Sequence, residues 1–414
     1  MDGGAGVPRA GFRVLARAPG YLRLWGVGGL SNGMRQFEIL AAGLFTFEVT
    51  HSGLAVAVVG ACRNLPMLLL GAFAGVVSEQ RDRRRILIAA QAVSAASSLT
   101  VAGLALAGLA RPWELAIAAL ASGVMWSTEG ATRRRMLGEA VPPDLVARAY
   151  AFDSLTNALV RMAGPVSAGV AYAVLGLAGA FLVSGTCYLA ALILALGVPA
   201  GLRSVPAARA PVLADLAEGF RYARSHPVVA GSLAVTFIAN MFAFSYIALV
   251  TPVAERGFGV APALVGLLAA GEPVGALAAG AYLARFGPPL RGRTVMAGGA
   301  ALFLAAVAVM PLMPSFWLAC LVMVPGGLGS AGFSAMQTAL ITAHTPPPVR
   351  SRVLGLLTVC IGAGPVVYLL LGGLGRAVGD AAALQITGWV GLGLVAVVWG
   401  WWARREGRAG HTPG

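Results

Sequence analysis

Five ionisable side chains lie in the middle of long apolar segments of the sequence: Arg35, Glu38, Arg63, Arg161 and Glu272. A charge at the centre of a membrane-spanning helix costs about 2.5–3.5 kcal/mol on insertion scales, so such a group is a functional-site hypothesis by default. Two interpretations are open. The charges are ion pairs that lock helices together, with Arg35 and Glu38 satisfying one another at a spacing of three residues. Alternatively, they line a central cavity that contains titratable carboxylates.

The two carboxylates, Glu272 and Glu38, are the candidates for proton coupling. A carboxylate in a low-dielectric cavity can load and unload protons. Glu272 has no basic neighbour in the sequence and is the better proton carrier, whereas Glu38 beside Arg35 is expected to remain an ion.

The candidate lining of a substrate cavity consists of polar or basic side chains within apolar segments: Arg35, Arg63, Arg161, Asn157, Asn240 and Thr236. The excess of arginine over carboxylate suits an anionic or polar aromatic substrate that Arg161 and Arg63 could hold. An arginine paired with a backbone carbonyl or with Glu272 is an equally open alternative.

The composition indicates the solvent that these segments face. The chain has 414 residues, of which 58% are hydrophobic and 11% charged, whereas a soluble domain has about 25% charged residues. Apolar runs of about 20 residues recur along the chain, and each is long enough to cross a hydrocarbon core of roughly 30 Å. The sequence therefore predicts an all-α membrane protein with twelve spans, at roughly 22–47, 54–78, 85–109, 113–132, 149–174, 177–198, 228–251, 261–284, 294–313, 316–341, 352–374 and 383–402.

The arginines predict the orientation. All 30 basic residues are arginine, and 24 of them fall in the two tails and in the connections on one side of the predicted membrane. The other side carries Arg111, Arg256 and Arg376. Because cytoplasmic loops are enriched in basic residues, both termini are expected to be cytoplasmic. The net charge of +14 then reflects membrane anchoring, and no nucleic-acid partner is expected.

The predicted domain organisation is two bundles of six helices joined by a polar, proline-containing linker. Its boundaries are a cytoplasmic tail at 1–20, an N-terminal bundle at 21–198, a linker with an amphipathic helix at 199–227, a C-terminal bundle at 228–403 and a cytoplasmic tail at 404–414.

Two stretches resemble motifs of the major facilitator superfamily of transporters. GAFAGVVSEQRDRRRIL, at 71–87, resembles the loop between the second and third helices of the family. There Gly75 matches the glycine of the motif, Arg83, Arg84 and Arg85 match its basic cluster, and Glu79 replaces its usual Asp. NALVRMAGPVSAG, at 157–169, resembles the Gly-Pro motif of the drug/proton antiporters. Together with the flanking residues, these stretches are similar to the drug and siderophore exporter branch that includes the enterobactin exporter.

The resemblance implies the major facilitator fold, with a mid-membrane site that is reached by alternating access. It implies a cytoplasmic gate at Gly75, Glu79, Asp82, Arg83, Arg84 and Arg85, to which Asp153 and Glu129 are added because either could pair with Arg133, Arg134 or Arg135. Gly164–Pro165 and Gly364–Pro365 are expected to let their helices bend, because proline frees a backbone carbonyl.

The sequence thus favours a secondary transporter in a bacterial inner membrane that exports a small organic molecule by proton coupling. A metabolite importer or uniporter on the same fold is one alternative, and a non-transporting scaffold or lipid scramblase is another. We expect no enzyme, no cofactor and no metal site, because the chain has neither a Walker A sequence nor metal-ligand spacing. The expected partners are the lipid bilayer and a small-molecule substrate, and the expected state is a monomer.

Overall fold

The computed structural model describes residues 15, 18, 20–80, 82–199, 212–286 and 292–409. Within these residues the fold is built from helices, as a bilayer requires of a chain that cannot leave backbone polar groups unpaired. In chain order the main helices are α1 (Tyr21–Thr50), α2 (Gly53–Gln80), α3 (Arg83–Leu106), α4 (Pro112–Glu139), α5 (Val146–Leu196), α6 (Val212–Ser225), α7 (Pro227–Ile238), α8 (Pro262–Phe286), α9 (Gly292–Val309), α10 (Phe316–Ala343), α11 (Pro347–Gly362), α12 (Gly364–Val378) and α13 (Asp380–Ala409).

Nine helical segments of the described chain are long and apolar enough to cross a membrane. One of them, Arg148–Leu196, has 49 residues and at about 1.5 Å per residue is roughly twice as long as one crossing needs. It turns at Gly176, whose φ of 64° and ψ of −170° lie outside the helical region. Glycine is suited to this turn because it has no Cβ to clash at positive φ. The predicted fifth and sixth spans are therefore the two arms of α5.

Two other segments lose regular helical geometry near mid-membrane. After Ile238 the chain continues as a π-turn at Ala239–Ala243 and a 3₁₀-turn at Phe244–Ala248. Between α11 and α12 the helix is interrupted at Ala363, and Pro365 occupies the first turn of α12. Irregular backbone at this depth is tolerated where it lines a cavity. Pro165, by contrast, lies inside α5, whose non-helical residue is Gly176.

Glycines bring α8 and α10 close together. A Cβ added at Gly275 would lie 1.9 Å from the carbonyl oxygen of Val324, and one added at Gly327 would lie 2.0 Å from that of Glu272. Small residues permit this approach of two membrane helices, whose attraction depends on close packing. The backbone that carries Glu272 is therefore held against α10.

The two halves of the chain meet at the end that holds few arginines, which we call the arginine-poor end. There Gly372 of α12 packs against Leu54 and Ala57 of α2. At the opposite, arginine-rich end, Arg83 pairs with Glu139 of the same half at 2.7 Å. The halves are thus joined at the arginine-poor end and at mid-depth.

The amphipathic helix expected in the linker is α6, and it packs on the C-terminal half. Glu218 of α6 pairs with Arg352 of α11 at 2.7 Å. The hydroxyl of Tyr222 donates to the carbonyl oxygen of His344 at 2.9 Å. The part of the predicted linker at 200–211 lies outside the described residues.

Candidate functional site

A cavity of about 350 Å³ lies between the two halves at mid-depth, which is within the size range of small-molecule sites. Four of the predicted site residues line it: Arg35 of α1, Arg161 of α5, Asn240 after α7 and Glu272 of α8. The cavity thus draws polar groups from both halves. Its other lining residues are Gln36, Ile39, Asn64, Met67, Trp126, Pro165, Phe244, Tyr246, Ile247, Ala269, Pro273, Ile361, Gly362, Gly364 and Tyr368.

One ion pair crosses the cavity from half to half. The Nη2 atom of Arg161 donates to Oε2 of Glu272 at 2.7 Å. The Arg161 side chain is 39% exposed, whereas that of Glu272 is 3% exposed. The other oxygen of Glu272 accepts from the hydroxyl of Ser330 on α10. Glu272 has no basic neighbour in the sequence, but Arg161 reaches it from another helix, so the alternative that pairs these two residues is confirmed.

Arg35 projects into the same cavity without a carboxylate partner in the described part of the chain. Its guanidinium carbon lies 4.3 Å from the centroid of the Trp126 ring, so the cation is held against an aromatic face. Its Nε atom is buried and has no hydrogen-bond partner. Within the described lining, Arg161 and Glu272 neutralise one another, and the remaining formal charge is that of Arg35.

Glu38 is bound entirely within the N-terminal half. Its Oε2 accepts from Nη2 of Arg63 at 2.8 Å, and the two side chains are 2% and 7% exposed. Its Oε1 accepts from the hydroxyls of Ser184, at 2.7 Å, and Ser98. The interpretation in which Arg35 satisfies Glu38 is wrong, because Arg63 of the next helix is the partner.

Three of the predicted cavity residues lie elsewhere. Arg63 is bound to Glu38, away from the lining. The amide of Asn157 donates to Asp153 at 3.4 Å. Thr236 is fully buried and donates to the carbonyl oxygen of Ser232, its own helical neighbour, at 2.8 Å. These positions satisfy polar groups inside a half, although their spacing matched that of the cavity residues.

The predicted pairing near the arginine-rich end is confirmed for one arginine. Arg133 binds Asp153 at 2.7 Å and lies 4.0 Å from Glu129, so a single guanidinium serves both carboxylates. All three residues belong to the N-terminal half, on α4 and α5. The contact joins helices within that half, and a role as a gate stays a prediction.

The other predicted gate residues also bind locally where they are described. Asp82 caps α3 by accepting from the backbone of Arg84 at 2.9 Å, and Arg85 is an exposed neighbour 3.7 Å from Asp82. Arg83 binds Glu139, and Arg84 donates to the carbonyl oxygen of Leu196 at 2.5 Å. The surroundings of Gly75 and the side chain of Glu79 lie outside what the structure describes.

The predicted bend positions differ in what they contact. A Cβ on Gly164 would lie 2.8 Å from that of Gln36, so Gly164 lets α5 approach α1. The carbonyl of Pro165 in turn faces Gly266 of α8, where a Cβ would come within 2.2 Å of it. Gly364 lies at the break between α11 and α12 and lines the cavity. The side chain of Pro365 lies outside those described.

A second polar cluster closes the arginine-poor end. Arg256 of the C-terminal half binds Asp380 at 3.0 Å and donates to the carbonyl oxygen of His51 in the N-terminal half at 2.6 Å. Its guanidinium also lies 5.1 Å from the centroid of the Phe47 ring. Arg256 therefore ties the two halves together beyond the cavity.

Two acids from opposite halves, Glu255 and Glu48, also lie at this end. Burial, followed by repulsion from Glu48, raises the pKa of Glu255 to about 7. Glu48 itself accepts a hydrogen bond from the hydroxyl of Tyr172. When the arginine-poor end is closed, the carboxylates of Glu255 and Glu48 therefore lie near one another.

Several site residues were not predicted from the sequence. Trp126 and Tyr368 line the cavity, but an aromatic residue in an apolar run equally fits ordinary helix packing. Gln36 and Asn64 each directly follow an arginine that lies in the middle of an apolar segment, and that adjacency could have identified them. Ser330 binds Glu272 across a separation of 58 residues, which no local spacing reveals.

Comparison with known families gives one family match over nearly the whole chain. A family model described as "Transmembrane secretion effector" matches residues 17–406. Among curated proteins, the chain is 27% identical over 360 residues to the enterobactin exporter EntS of Citrobacter koseri, with 84% of this chain and 83% of the relative covered. It is 26% identical over 361 residues to EntS of Escherichia coli, with the same coverage of both chains.

Solved structures share the fold at low identity. A variant of the nucleoside transporter NupG matches with a TM-score of 0.72 and 11% identity, covering 93% of this chain and 99% of that one. A bacterial homolog of the human lysosomal transporter Spinster, in an inward-facing and occupied conformation, matches with a TM-score of 0.71 and 16% identity, over 93% and 96% of the two chains.

Proposed function

Because the chain belongs to the transmembrane secretion effector family of major facilitator transporters, we propose that it exports a small organic molecule by proton-coupled alternating access. The observation that carries the proposal is the ion pair between Arg161 and Glu272, which joins the two halves inside the cavity. A proton that arrives at Glu272 cancels its attraction to Arg161. Proton binding thereby weakens a contact that must change when the halves rock.

The proposal includes the topology. The Arg148–Leu196 segment counts as two crossings because it is long enough for both. Adding α1 and α4, with 30 and 28 residues, brings the total to twelve, with the arginine-rich end in the cytoplasm. Contacts at the arginine-poor end then correspond to a state that is closed to the outside. The proposed location is the inner membrane of a bacterium, with the protein acting as a monomer.

The alternatives differ in how well the side chains fit them. A scaffold or scramblase has no need for an ion pair across a wet cavity, because charges within a membrane are costly. An importer or uniporter on the same fold could use this cavity. The relatives that carry the name enterobactin exporter favour the outward direction.

The test is transport by the purified protein in proteoliposomes with an imposed pH gradient. The panel contains dyes, drugs and siderophores, since the relatives are named for a siderophore. We expect at least one compound to move against the direction of proton flow and to reverse when the gradient is reversed. If no compound moves under either polarity, the transport proposal is wrong and the scaffold alternative gains support.

A matched variant tests the coupling separately. Glu272→Gln is expected to abolish transport that the pH gradient drives. Exchange of labelled for unlabelled substrate without a gradient is expected to continue, because the cavity remains. Gradient-driven transport at the wild-type rate in this variant would show that Glu272 is not the proton carrier.

A further inference from the structure

Arg35 differs from the other two mid-membrane arginines in what neutralises it. Arg63 is bound to Glu38 and Arg161 to Glu272, each within 2.8 Å. Among the described residues, no carboxylate forms an ion pair with Arg35, and its buried Nε atom has no acceptor. Glu129 shares a small pocket with Arg35 without forming an ion pair with it; its ion-pair contact is with Arg133 at 4.0 Å, and that guanidinium also binds Asp153 at 2.7 Å. Among the described residues, a costly charge has thus been left without a carboxylate in ion-pair contact.

The cavity side of Arg35 is built to receive a ligand. The guanidinium lies against the Trp126 ring at 4.3 Å, which restrains its plane before a ligand arrives. A guanidinium restrained in this way presents its N–H edge as a fork that matches the two oxygens of a carboxylate. Asn64 and Asn240 line the same cavity. Each amide donates one N–H to a backbone carbonyl of its own helix, and its second N–H can donate a further hydrogen bond.

The rest of the lining indicates what accompanies the anion. Phe244, Tyr246 and Tyr368 contribute aromatic rings, while Ile39 and Met67 contribute aliphatic surface. A purely ionic ligand would gain nothing from these walls, whereas an aromatic ring would be desolvated by them. We infer that Arg35 is the anion-binding residue of the cavity, that Trp126 positions it, and that the preferred substrates are aromatic compounds carrying a carboxylate or a comparable planar anion.

This inference rests on the proposed transport function for its biological meaning, but it can be tested by binding alone. The probes are naphthoate, naphthamide and naphthylmethylammonium, which share a ring system and differ in charge. Each is titrated calorimetrically into the full chain in lipid nanodiscs. The wild type is expected to bind naphthoate about tenfold or more tightly than naphthamide, since a hydrogen bond to a charged group is worth roughly that factor, and naphthylmethylammonium most weakly.

Variants assign the preference to its residues. Arg35→Gln is expected to bind naphthoate and naphthamide equally. Arg35→Lys keeps the charge but loses the fork, so naphthoate should weaken several-fold while remaining preferred. Trp126→Leu should also weaken naphthoate several-fold, because the guanidinium is then less restrained. Arg404→Gln, at an exposed arginine outside the cavity, is the matched control and should leave all three affinities unchanged.

Several results would overturn the inference. Equal binding of naphthoate and naphthamide by the wild type would do so, as would a naphthoate preference that survives in Arg35→Gln. Thermal melting and elution volume establish that each variant is folded. If Arg35→Gln does not fold, the Arg35→Lys and Trp126→Leu titrations decide the matter, since unchanged naphthoate affinity in both excludes the site.

Binding and transport can fail independently. A charge preference in nanodiscs without movement of any compound in proteoliposomes supports the anion site and refutes export. Export of neutral or cationic compounds, without a preference among the three naphthyl probes, supports export and refutes the anion site.

Discussion

Two carboxylates in this molecule each pair with one arginine, yet their surroundings differ. Glu38 lies within the N-terminal half, where Arg63 and the hydroxyls of Ser98 and Ser184 occupy both its oxygens. Glu272 meets Arg161 across the boundary between halves, and 39% of the Arg161 side chain remains exposed to the cavity. The first pair can separate only if one bundle unfolds locally, whereas the second can separate when two bundles move.

A transporter can use an ion pair between two helices for two different purposes. A buried ion pair with complete hydrogen bonding holds helices in a fixed arrangement, although it need not stabilise them relative to apolar residues. A pair at a moving boundary, with water on one side, can exchange its proton and its partner. Location within the architecture, and not residue type, distinguishes the two.

The largest effect is expected from Glu38→Gln. This change leaves the Arg63 guanidinium charged and 7% exposed, without a counter-ion. Breaking a buried ion pair from one side costs about 3–5 kcal/mol, so thermal melting in detergent should show a strong loss of stability. Ser184→Ala removes one hydrogen bond to the same carboxylate and should cost about 1 kcal/mol.

A double variant shows whether the Glu38 pair is purely structural. Glu38→Leu with Arg63→Leu removes both charges, and its stability is expected to recover most of what Glu38→Gln loses. Gradient-driven transport should recover with it. A stable but inactive double variant would contradict the distinction between the two pairs and give Glu38 a part in coupling.

The next effect tests the backbone that supports Glu272. Gly327→Ala would bring a Cβ to 2.0 Å from the carbonyl oxygen of Glu272, so α8 and α10 must move apart. Overpacking of this kind costs about 1–3 kcal/mol, and it should displace Glu272 from Arg161 and slow transport. The control is Gly103→Ala in α3, where nothing lies within 4 Å of the added atom. Equal transport rates in the two variants would show that the position of Glu272 is unimportant.

For Glu272→Gln we expect a small loss of stability and a large loss of proton-driven transport, whereas for Glu38→Gln the loss of stability is large. The Arg161 side chain is 39% exposed and keeps access to the cavity after the change, so the variant leaves no buried charge unpaired. The loss of stability should therefore be about 1–2 kcal/mol, which is less than for Glu38→Gln. The proton-driven rate should nevertheless fall to background. A large drop in melting temperature would make this pair structural, like that of Glu38, and would remove the contrast between them.

The sequence predicted the architecture well because the relevant signals are local. Apolar runs and the motif at 71–87 are each read from neighbouring residues, and the helices and the family match agree with them. The orientation predicted from arginine placement stays a prediction. The pairing of Arg133 with Asp153 was also predicted, since both lie near the same end of consecutive helices.

The ion-pair partners at mid-membrane could not be predicted in the same way. Glu38 and Arg63 are 25 residues apart, and Arg161 and Glu272 are 111 apart. Spacing along one helix proposes same-helix partners such as Arg35 and Glu38. Pairing of Arg161 with Glu272 was one open alternative in the sequence, and the rotation of each helix about its axis decides which arginine faces which acid. The unpaired state of Arg35 follows from that rotation as well, so it emerges only from the assembled bundle.

Another acid at the boundary between the halves, Glu255, provides the smallest and most specific test. It lies near Glu48 of the other half, with Arg256 as its neighbour in sequence and Tyr172 bonded to Glu48. Burial and the Glu48 charge raise the pKa of Glu255 from 4.5 to about 7 when this end is closed. A group with a raised pKa favours the closed state below pH 4.5, and this contribution is lost as the pH rises through about 7.

The closing of this end can be followed by the distance between two spin labels, one in each half. The labels are attached at Leu109→Cys and Leu312→Cys, which lie in connections at the arginine-poor end. The background variant lacks the four native cysteines. The short-distance population should decline between pH 4.5 and 7 in the otherwise unchanged chain. Glu255→Gln should flatten this dependence, because a neutral amide next to Glu48 has no proton to lose. Glu114→Gln alters an acid at the same end that caps α4, and the pH dependence should survive that change. A pH profile unaffected by Glu255→Gln would show that Glu255 does not control the closing of this end, and would assign the pH dependence to another acid, such as Asp380, which binds Arg256 at 3.0 Å.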